Sequence, residues 1–138
     1  MATPFAYLNF NGNCAEAMRF YERVLDGTMK SMMTFGESPM CAQMPPGSEQ
    51  KILNAHLMFE GGGNLMASDH MMGPYEGIKG VALTLIYDST EQAEKVFNAL
   101  AEGGKITMPV QAMFWAKSFG MLVDRFGVAW SVNGEMIV

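Results

Sequence analysis

The stretch from Gln111 to Asn133, QAMFWAKSFGMLVDRFGVAWSVN, decides the fold class of this chain. It carries an aromatic pair, FW, and then two apolar runs on either side of the short segment DRFG at 124–127. Apolar runs that flank a Gly-containing turn are typical of a β-hairpin. We therefore predict strands over Phe119 to Val123 and Val128 to Asn133. A hairpin needs further elements to cover it, so the rest of the chain has to supply them.

Composition limits what the chain can be. It has 138 residues, enough for one domain with its own core, and its 49% hydrophobic and 17% charged content excludes a disordered protein. The net charge of −5, without a cluster of Lys and Arg, argues against a nucleic-acid partner. No basic stretch precedes an apolar run, and no segment approaches the roughly 20 apolar residues of a membrane span. We expect a cytoplasmic protein that binds neither nucleic acid nor a membrane.

The sulfur-containing residues admit two interpretations. Cys14 and Cys41 lack C-x-x-C spacing, which indicates two reduced structural thiols. Fifteen methionines are far more than usual. Because the thioether side chain is flexible, these residues could fill gaps in the core or line an adaptable apolar pocket. The sequence alone leaves both open.

Strands and helices alternate along the remaining sequence in a regular order. Asn13 with Glu16, and Ser89 with Gln92, have the spacing of helix-capping boxes, and Gly27 is suited to end the first helix in a left-handed conformation. The predicted strands are 5–10, 28–35, 52–60, 64–68, 80–87 and 105–111, and the predicted helices are 14–26 and 90–102. The segment 36–50, rich in Pro and Gly, is predicted as a long loop.

The strand at 52–60 has two chemically different faces. Leu53, Ala55, Leu57 and Phe59 would pack on a helix, whereas the alternate set is mostly polar. That set consists of Asn54, His56, Met58 and Glu60. In the first strand, Tyr7 and Asn9 would face the same way if Leu8 and Phe10 face the helix.

The order strand, helix, strand, strand, strand occurs twice, so we predict an internal duplication. The first helix aligns on the second with cap on cap and apolar position on apolar position. The expected fold is α+β: a single domain over 1–138, made of two βαβββ modules with mostly antiparallel sheet. Module 1 covers about 1–70, a linker about 71–79 and module 2 about 80–138. Each helix would cover one side of its sheet, and the uncovered sides would form a cup.

Several segments of this chain resemble one known family. They are YLNFNGNCAEAMRFYERVL (7–25), TFGESPM (34–40), HLMFEGGGNLMASD (56–69) and GGKITMPVQAMFWAKSFGMLVDRFGVAWSVN (103–133). Together with the paired βαβββ order, they resemble the PhnB-like (YjdN-like) branch of the vicinal oxygen chelate superfamily, which includes glyoxalases, bleomycin-resistance proteins and dioxygenases. The resemblance implies that superfamily's fold, a cup that holds a small molecule, and a homodimer.

The resemblance also locates four metal-ligand positions, which hold His or Glu in metal-dependent members. Here they correspond to Phe5 or Ala6, Met66, the stretch 80–82, and Ser131. None of these is an imidazole or a carboxylate, so we expect no glyoxalase-type metal site and no cofactor. Some relatives carry a methyltransferase label. The Gly61-Gly62-Gly63 run lies between two hairpin strands, which is the wrong context for a loop that binds S-adenosylmethionine.

Candidate site residues follow from the predicted faces. His56 and Glu60 are the candidate catalytic pair, although His56 could be a structural histidine and Glu60 could lie in solvent. The candidate ligand-binding residues are Tyr7, Asn9, Asn54, Met58, Phe114 and Trp115. Phe114 and Trp115 could equally pack in the core. Asp124 and Arg125 would shape the hairpin turn. His70, with Asp69 beside it, would lie in the linker and be exposed.

Three functions remain open at this point. The first is a small-molecule-binding protein without a metal. The second is a metal-dependent lyase, isomerase or dioxygenase that uses His56, Glu60 and a third ligand. The third is a drug-sequestering protein like the bleomycin-resistance proteins, for which the net negative charge would suit a cationic ligand.

Overall fold

A computed structural model describes residues 2–39, 41–71 and 73–138. Met40, within the predicted long loop, and Met72, within the predicted linker, lie outside the described residues, as does Met1. The chain divides into two compact units, residues 1–77 (unit 1) and 78–138 (unit 2). Each unit contains one helix and one four-stranded sheet.

Unit 1 has the predicted βαβββ order. Its elements are β1 (Ala6–Phe10), α1 (Cys14–Val24), β2 (Thr28–Thr34), β3 (Ile52–Met58) and β4 (Asn64–Asp69). The strand order in the sheet is β1-β4-β3-β2, with β1 parallel to β4 and the other pairs antiparallel. Apolar side chains alternate with polar ones along β1, β3 and β4, and the apolar set is buried on the side where α1 packs.

The start of α1 differs from the sequence-based prediction. Asn13 makes no side-chain capping hydrogen bond, so the capping box with Glu16 is wrong. Instead, the Asp69 carboxylate accepts the backbone N–H of Cys14 at 2.9 Å through Oδ1 and that of Ile52 at 2.8 Å through Oδ2. Asp69 is therefore the last residue of β4 and is 4% exposed, not part of an exposed linker. A carboxylate 55 residues further along the chain thus accepts a backbone N–H of the first turn of α1.

The end of α1 also differs. The left-handed backbone conformation belongs to Asp26, with φ of 55°, and not to Gly27. Gly27 serves a packing role, because a Cβ at this position would lie 2.8 Å from the ring of Phe59. Because Gly27 has no side chain, the turn between α1 and β2 can pack directly against the Phe59 ring, which follows β3.

The long loop between β2 and β3 is more ordered than its Pro and Gly content indicated. It contains two 3-10 turns, Phe35–Glu37 and Cys41–Gln43. Thr34 and Glu37 form a reciprocal capping box at the first turn, and Phe35 and Ser48 are buried. The loop is thus fixed by local hydrogen bonds and by its buried residues.

Unit 2 repeats the same architecture. Its elements are β5 (Ala82–Tyr87), α2 (Thr90–Ala101), β6 (Lys105–Gln111), β7 (Ala116–Val123) and β8 (Ala129–Met136). The strand order is β5-β8-β7-β6, with β5 parallel to β8. Ser89 Oγ caps α2 by accepting the Gln92 N–H, as predicted. A Cβ on Gly134 would lie 2.9 Å from Ala93 Cβ, so α2 packs directly on β8.

The hairpin turn at 124–127 is held by a buried side chain. Asp124 Oδ1 accepts the N–H groups of Phe126 and Val128 at 2.9 and 3.0 Å, and Oδ2 accepts Trp130 Nε1–H at 2.8 Å. Gly127 has a φ of 89°, a conformation that glycine adopts without strain. Asp124 thus shapes the turn, as predicted, and also anchors Trp130 in the core.

The two cysteines are free, and they differ in environment. Cys14 is fully buried, and burial together with the Asp69 carboxylate raises the pKa of its thiol to about 12, whereas Cys41 is partly exposed. We expect a thiol reagent at pH 8 to modify only Cys41 in the folded protein and both cysteines in urea, because the thiolate is the reactive form. Equal native reactivity of the two thiols would contradict the burial of Cys14.

Neither of the α-helices in the described part of the chain has the length and apolar character that a membrane span requires.

Candidate functional site

The side of the unit 1 sheet that α1 does not cover carries the polar residues of β1, β3 and β4. We call it the helix-free face of unit 1. Cross-strand pairing puts Tyr7 beside Met66, Met66 beside His56, and Met58 beside Asn64. Its residues are Tyr7, Asn9, Asn54, His56, Met58, Asn64, Met66 and Ser68. The predicted facing of Tyr7, Asn9, Asn54, His56 and Met58 is confirmed, since their neighbours on each strand form the buried side.

Hydrogen bonds link these side chains in pairs. His56 Nε2 lies 2.8 Å from Asn64 Oδ1, and Asn64 Nδ2–H donates to the Gly62 carbonyl at 3.0 Å. Asn54 Nδ2 lies 3.5 Å from the Tyr7 hydroxyl, and Ser68 Oγ lies 3.3 Å from Asn9 Oδ1. The last two are at the long end of the hydrogen-bonding range, so these groups could exchange partners with a ligand at little cost.

Glu60 is not on this face as a strand residue. The strand β3 ends at Met58, two residues earlier than predicted, and Glu60 is exposed in the turn that follows. The turn is closed by the Phe59 N–H, which donates to the Gly63 carbonyl at 2.9 Å, and by the Gly62 N–H, which donates to the Phe59 carbonyl. Of the two positions that the sequence left open for Glu60, the structure therefore agrees with the solvent-exposed one and not with the strand face that carries His56.

The segment after β4 lies against the end of β1. His70 donates its backbone N–H to the Phe10 carbonyl at 2.7 Å, and its ring meets that of Tyr75 edge-on. The Tyr75 hydroxyl donates to the Asn9 carbonyl at 2.9 Å, and burial raises the Tyr75 pKa. His70 is half-buried, not exposed as predicted, and its Nε2 has no hydrogen-bond partner among the described residues.

The helix-free face of unit 2 carries a different kind of group. Trp115 donates its Nε1–H to Asn133 Oδ1 at 3.0 Å, and Asn133 Nδ2–H donates to the Leu85 carbonyl at 3.4 Å. The rings of Phe114 and Phe119 meet Trp115 edge-on, at centroid distances of 4.8 and 5.1 Å. Phe114 is 82% exposed, so core packing does not describe it, whereas Trp115 is half-buried. The result is a fixed indole with an exposed phenyl ring beside it.

Unit 2 also has a charged pair between β7 and β8 and a hydroxyl pair between β5 and β8. Lys117 and Glu135 form an ion pair of 2.6 Å, and Glu135 has a left-handed φ of 50°. Both side chains are about half exposed, which makes this a weak contribution to stability. Thr84 Oγ1 lies 2.8 Å from Ser131 Oγ, so the hydroxyl groups satisfy each other.

The Trp115–Asn133 hydrogen bond leads to a stability prediction. Trp115→Phe removes the only indole donor of Trp115 and leaves Asn133, which is 4% exposed, short of one partner. We expect the free energy of unfolding, measured by urea denaturation, to fall by about 1–2 kcal/mol. Ile86→Val, at an exposed position paired with Asn133, should change it by less than about 0.5 kcal/mol. Equal effects of the two variants would show that the hydrogen bond does not stabilise the fold.

The residues at the metal-ligand positions implied by the resemblance do not fit a divalent ion. Met66 lies between Tyr7 and His56, and Ser131 is engaged with Thr84. Within residues 2–39, 41–71 and 73–138, no three His, Cys, Asp or Glu side chains converge. A divalent ion of the glyoxalase type needs several imidazole or carboxylate donors at one point, and Met66 and Ser131 supply a thioether and a hydroxyl instead.

Sequence reasoning missed the partners that orient the candidate residues. Asn64 follows the glycine turn and Asn133 ends a predicted strand, so the sequence pattern marks both only as strand residues. The signal that could have found Asn64 is the hairpin register, because the β3–β4 pairing puts Asn64 on the same face as Met58 and diagonally next to His56.

Comparisons with known proteins agree with this architecture. A model of the Glyoxalase/Bleomycin resistance protein/Dioxygenase superfamily matches residues 6–132. Protein YjdN of Escherichia coli (strain K12) is 36% identical over an aligned length of 135, and the match covers 92% of this chain and 91% of YjdN.

Two solved structures are similar along nearly the whole chain. Protein PA1353 from Pseudomonas aeruginosa has a TM-score of 0.89 and 50% identity, with 98% of each chain covered. A Bacillus cereus protein described as a putative 3-demethylubiquinone-9 3-methyltransferase, PhnB protein, has a TM-score of 0.81 and 27% identity, with 96% of this chain and 99% of that chain covered. The predicted fold and the predicted resemblance are thus confirmed, and the chain belongs to the glyoxalase/bleomycin resistance protein/dioxygenase superfamily as a PhnB- and YjdN-like member.

Proposed function

We propose that this protein binds a small organic molecule on the helix-free face of unit 1, through hydrogen bonds from Tyr7, Asn54 and His56, and without a glyoxalase-type metal site. The observation that carries the proposal is the contrast between the two sides of one sheet. One side is apolar and buried under α1, whereas the other presents partly exposed donors and acceptors in register. Partly exposed polar groups that lie close together are the usual means of orienting a ligand.

Methionines supply the apolar part of this face. Met66 lies between Tyr7 and His56 across the strands, and Met58 is two residues from His56 on β3. Beside this face, Met33 of β2 pairs with Asn54 and is 43% exposed. Thioether side chains adapt to ligands of varied shape, which supports the pocket interpretation of the high methionine content for this face.

The aromatic residues of unit 2 form a separate candidate surface for a compound that contains a ring. Phe114 presents an exposed phenyl group, and Trp115 behind it is fixed by its bond to Asn133. A fixed aromatic side chain loses little conformational entropy when a second ring packs against it. We therefore propose the two predicted ligand contacts, Phe114 and Trp115, as a ring-contacting surface of unit 2 by itself.

Thermal denaturation in the presence of three related probes tests the proposal. The probes are 2-naphthol, 2-naphthoate and naphthylmethylammonium, which share one ring system and differ in charge. Because a ligand that binds only the folded state raises its melting temperature, we expect 2-naphthol to raise Tm in a concentration-dependent manner. A variant with Tyr7→Phe and Asn54→Ala should lose most of the shift, whereas the exposed Glu94→Ala on α2 should keep it.

The outcomes separate the candidates. If 2-naphthol raises Tm equally in the Tyr7→Phe/Asn54→Ala variant and in Glu94→Ala, the ligand does not bind on the proposed face. A shift with naphthylmethylammonium alone would favour the drug-sequestering function, for which the net charge of −5 is suited.

Elemental analysis of the purified protein tests the metal-free part of the proposal. The support for it is the donor chemistry at Met66 and Ser131 together with the exposed turn position of Glu60. We expect well under one equivalent of Zn, Ni, Mn or Fe per chain. About one equivalent, lost in a His56→Ala variant, would contradict the proposal and favour a metal-dependent lyase, isomerase or dioxygenase.

The methyltransferase name of the Bacillus cereus relative is not part of the proposal. A loop that binds S-adenosylmethionine follows a parallel strand and opens a helix. The Gly61-Gly62-Gly63 segment instead joins β3 and β4, which are antiparallel.

Assembly and location complete the proposal. We propose a homodimer, which light scattering coupled to size-exclusion chromatography can test.

A cytoplasmic location is supported by the two free cysteines, since free thiols are typical of reducing compartments. Fractionation of cells that express the protein would test the location.

A further inference from the structure

We infer that Asn64 is a positioning residue, which holds His56 as the neutral tautomer protonated at Nε2 and so leaves Nδ1 as a hydrogen-bond acceptor for a ligand with a hydroxyl or N–H group. The ligand part of this inference rests on the proposed function. The tautomer part depends on the protein alone and can be measured without a ligand.

The orientation of the Asn64 amide is the first step. Its Nδ2 lies 3.0 Å from the Gly62 carbonyl oxygen. A carbonyl oxygen only accepts hydrogen bonds, so the amide nitrogen has to be the end that faces Gly62. The opposite orientation would bring two acceptor oxygens together. The Asn64 amide oxygen therefore faces His56.

The protonation of His56 follows from that orientation. Asn64 Oδ1 lies 2.8 Å from His56 Nε2, and an amide oxygen can only accept. The proton of this hydrogen bond is therefore on Nε2, and in the neutral imidazole Nδ1 carries the free lone pair. A tautomer is assigned from such a network when the acceptor side is fixed independently, as it is here by Gly62.

The position of His56 makes this lone pair relevant to binding. The side chain is partly buried on the helix-free face of unit 1, between Met66 of β4 and Ser31 of β2, and its ring lies 5.6 Å from the Phe5 ring by centroid distance. A partly buried acceptor discriminates between a ligand that donates a hydrogen bond and one that does not, because a polar group left unpaired away from water is costly. The inferred ligand class is therefore an organic compound that carries a hydroxyl or N–H donor next to an apolar group.

Nitrogen-15 NMR of histidine-labelled protein at pH 8 tests the tautomer. The chain has two histidines, so a His70→Gln variant assigns the spectrum. We expect His56 to show a protonated, pyrrole-type Nε2 whose proton is protected from exchange with water, and an unprotonated, pyridine-type Nδ1. A pyrrole-type Nδ1 in the wild-type protein would overturn the inference.

Three variants test the role of Asn64. Asn64→Leu removes the acceptor, so the Nε2 proton should lose its protection and the two nitrogen shifts should move towards each other. Asn64→Asp keeps an oxygen acceptor and should keep the protected Nε2 proton. Ser68→Ala, on the same strand and face, should leave the His56 signals unchanged. Unchanged signals in Asn64→Leu would show that Asn64 does not position His56.

A pair of probes extends the test to the ligand. 2-Naphthol has a hydroxyl donor, and 2-methoxynaphthalene lacks it. We expect the wild-type protein to bind 2-naphthol about tenfold more tightly, and this preference should be lost in Asn64→Leu. Equal affinities in the wild type would contradict the acceptor role of Nδ1. If the NMR pattern is as expected and neither compound binds, the tautomer assignment is supported and the proposed function fails.

Discussion

Asp124→Ala is expected to destabilise the protein by about 3–5 kcal/mol, the largest effect of any single substitution that we predict. The carboxylate is 3% exposed and accepts at least three hydrogen bonds, from the N–H groups of Phe126 and Val128 and from Trp130 Nε1. Alanine would leave these donors in the interior without their acceptor. Urea denaturation followed by tryptophan fluorescence measures the loss, and Trp130 itself reports on the site.

Two further aspartate variants make this test specific. Asp88→Ala, at an exposed position, should change the free energy of unfolding by less than about 0.5 kcal/mol. Asp124→Asn keeps one acceptor oxygen and should fall between the two. If Asp124→Ala costs no more than Asp88→Ala, the hairpin does not depend on its buried carboxylate.

Asp69→Ala is expected to destabilise the protein by about 2–4 kcal/mol. Asp69 is the last residue of β4 and ties together two distant points of unit 1, the first turn of α1 through Cys14 and the start of β3 through Ile52. Its loss should also accelerate hydrogen exchange at these two backbone amides, because each would lose its acceptor.

Asn13→Ala provides the matched control for Asp69. Asn13 precedes α1 but makes no capping hydrogen bond, so its replacement should cost less than about 0.5 kcal/mol. The capping box that the sequence pattern favoured predicts the reverse order, with a loss of about 1 kcal/mol for Asn13→Ala and little for Asp69→Ala. The variant with the larger loss of unfolding free energy therefore identifies the side chain that caps α1.

Much of the fold could be predicted from the sequence because it depends on local patterns. The strand over Lys105–Gln111 has the predicted bounds, and the two helices begin where predicted. Apolar periodicity marks the helices and alternation marks the strands, and glycine turns separate them. The duplication was visible because the same local order occurs twice.

The errors fall on residues whose role is set by distant parts of the chain. Local pattern assigns Asp69 to the linker, because its partners, Cys14 and Ile52, are far away in sequence. Gly27 was assigned a left-handed conformation from its position after a helix, whereas its role is to leave space for Phe59. Nonlocal packing of this kind is not expressed in propensity or spacing.

The same distinction applies to the candidate site. Alternation along single strands correctly placed Tyr7, Asn54 and His56 on one face. It could not locate the bond from His56 to Asn64, because that bond depends on the register between β3 and β4. Alternation also extended the predicted strand to Glu60, whereas β3 ends at Met58 and Glu60 lies in the turn that follows.

The measurement that tests the central claim most directly is an NMR titration of nitrogen-labelled protein with 2-naphthol, which follows the side-chain signals of His56, Asn54 and Asn64. If the helix-free face of unit 1 binds small organic molecules, these signals should shift together and saturate at one ligand per chain. Saturable binding that leaves them unchanged and shifts only signals of α1 or α2 would contradict the account.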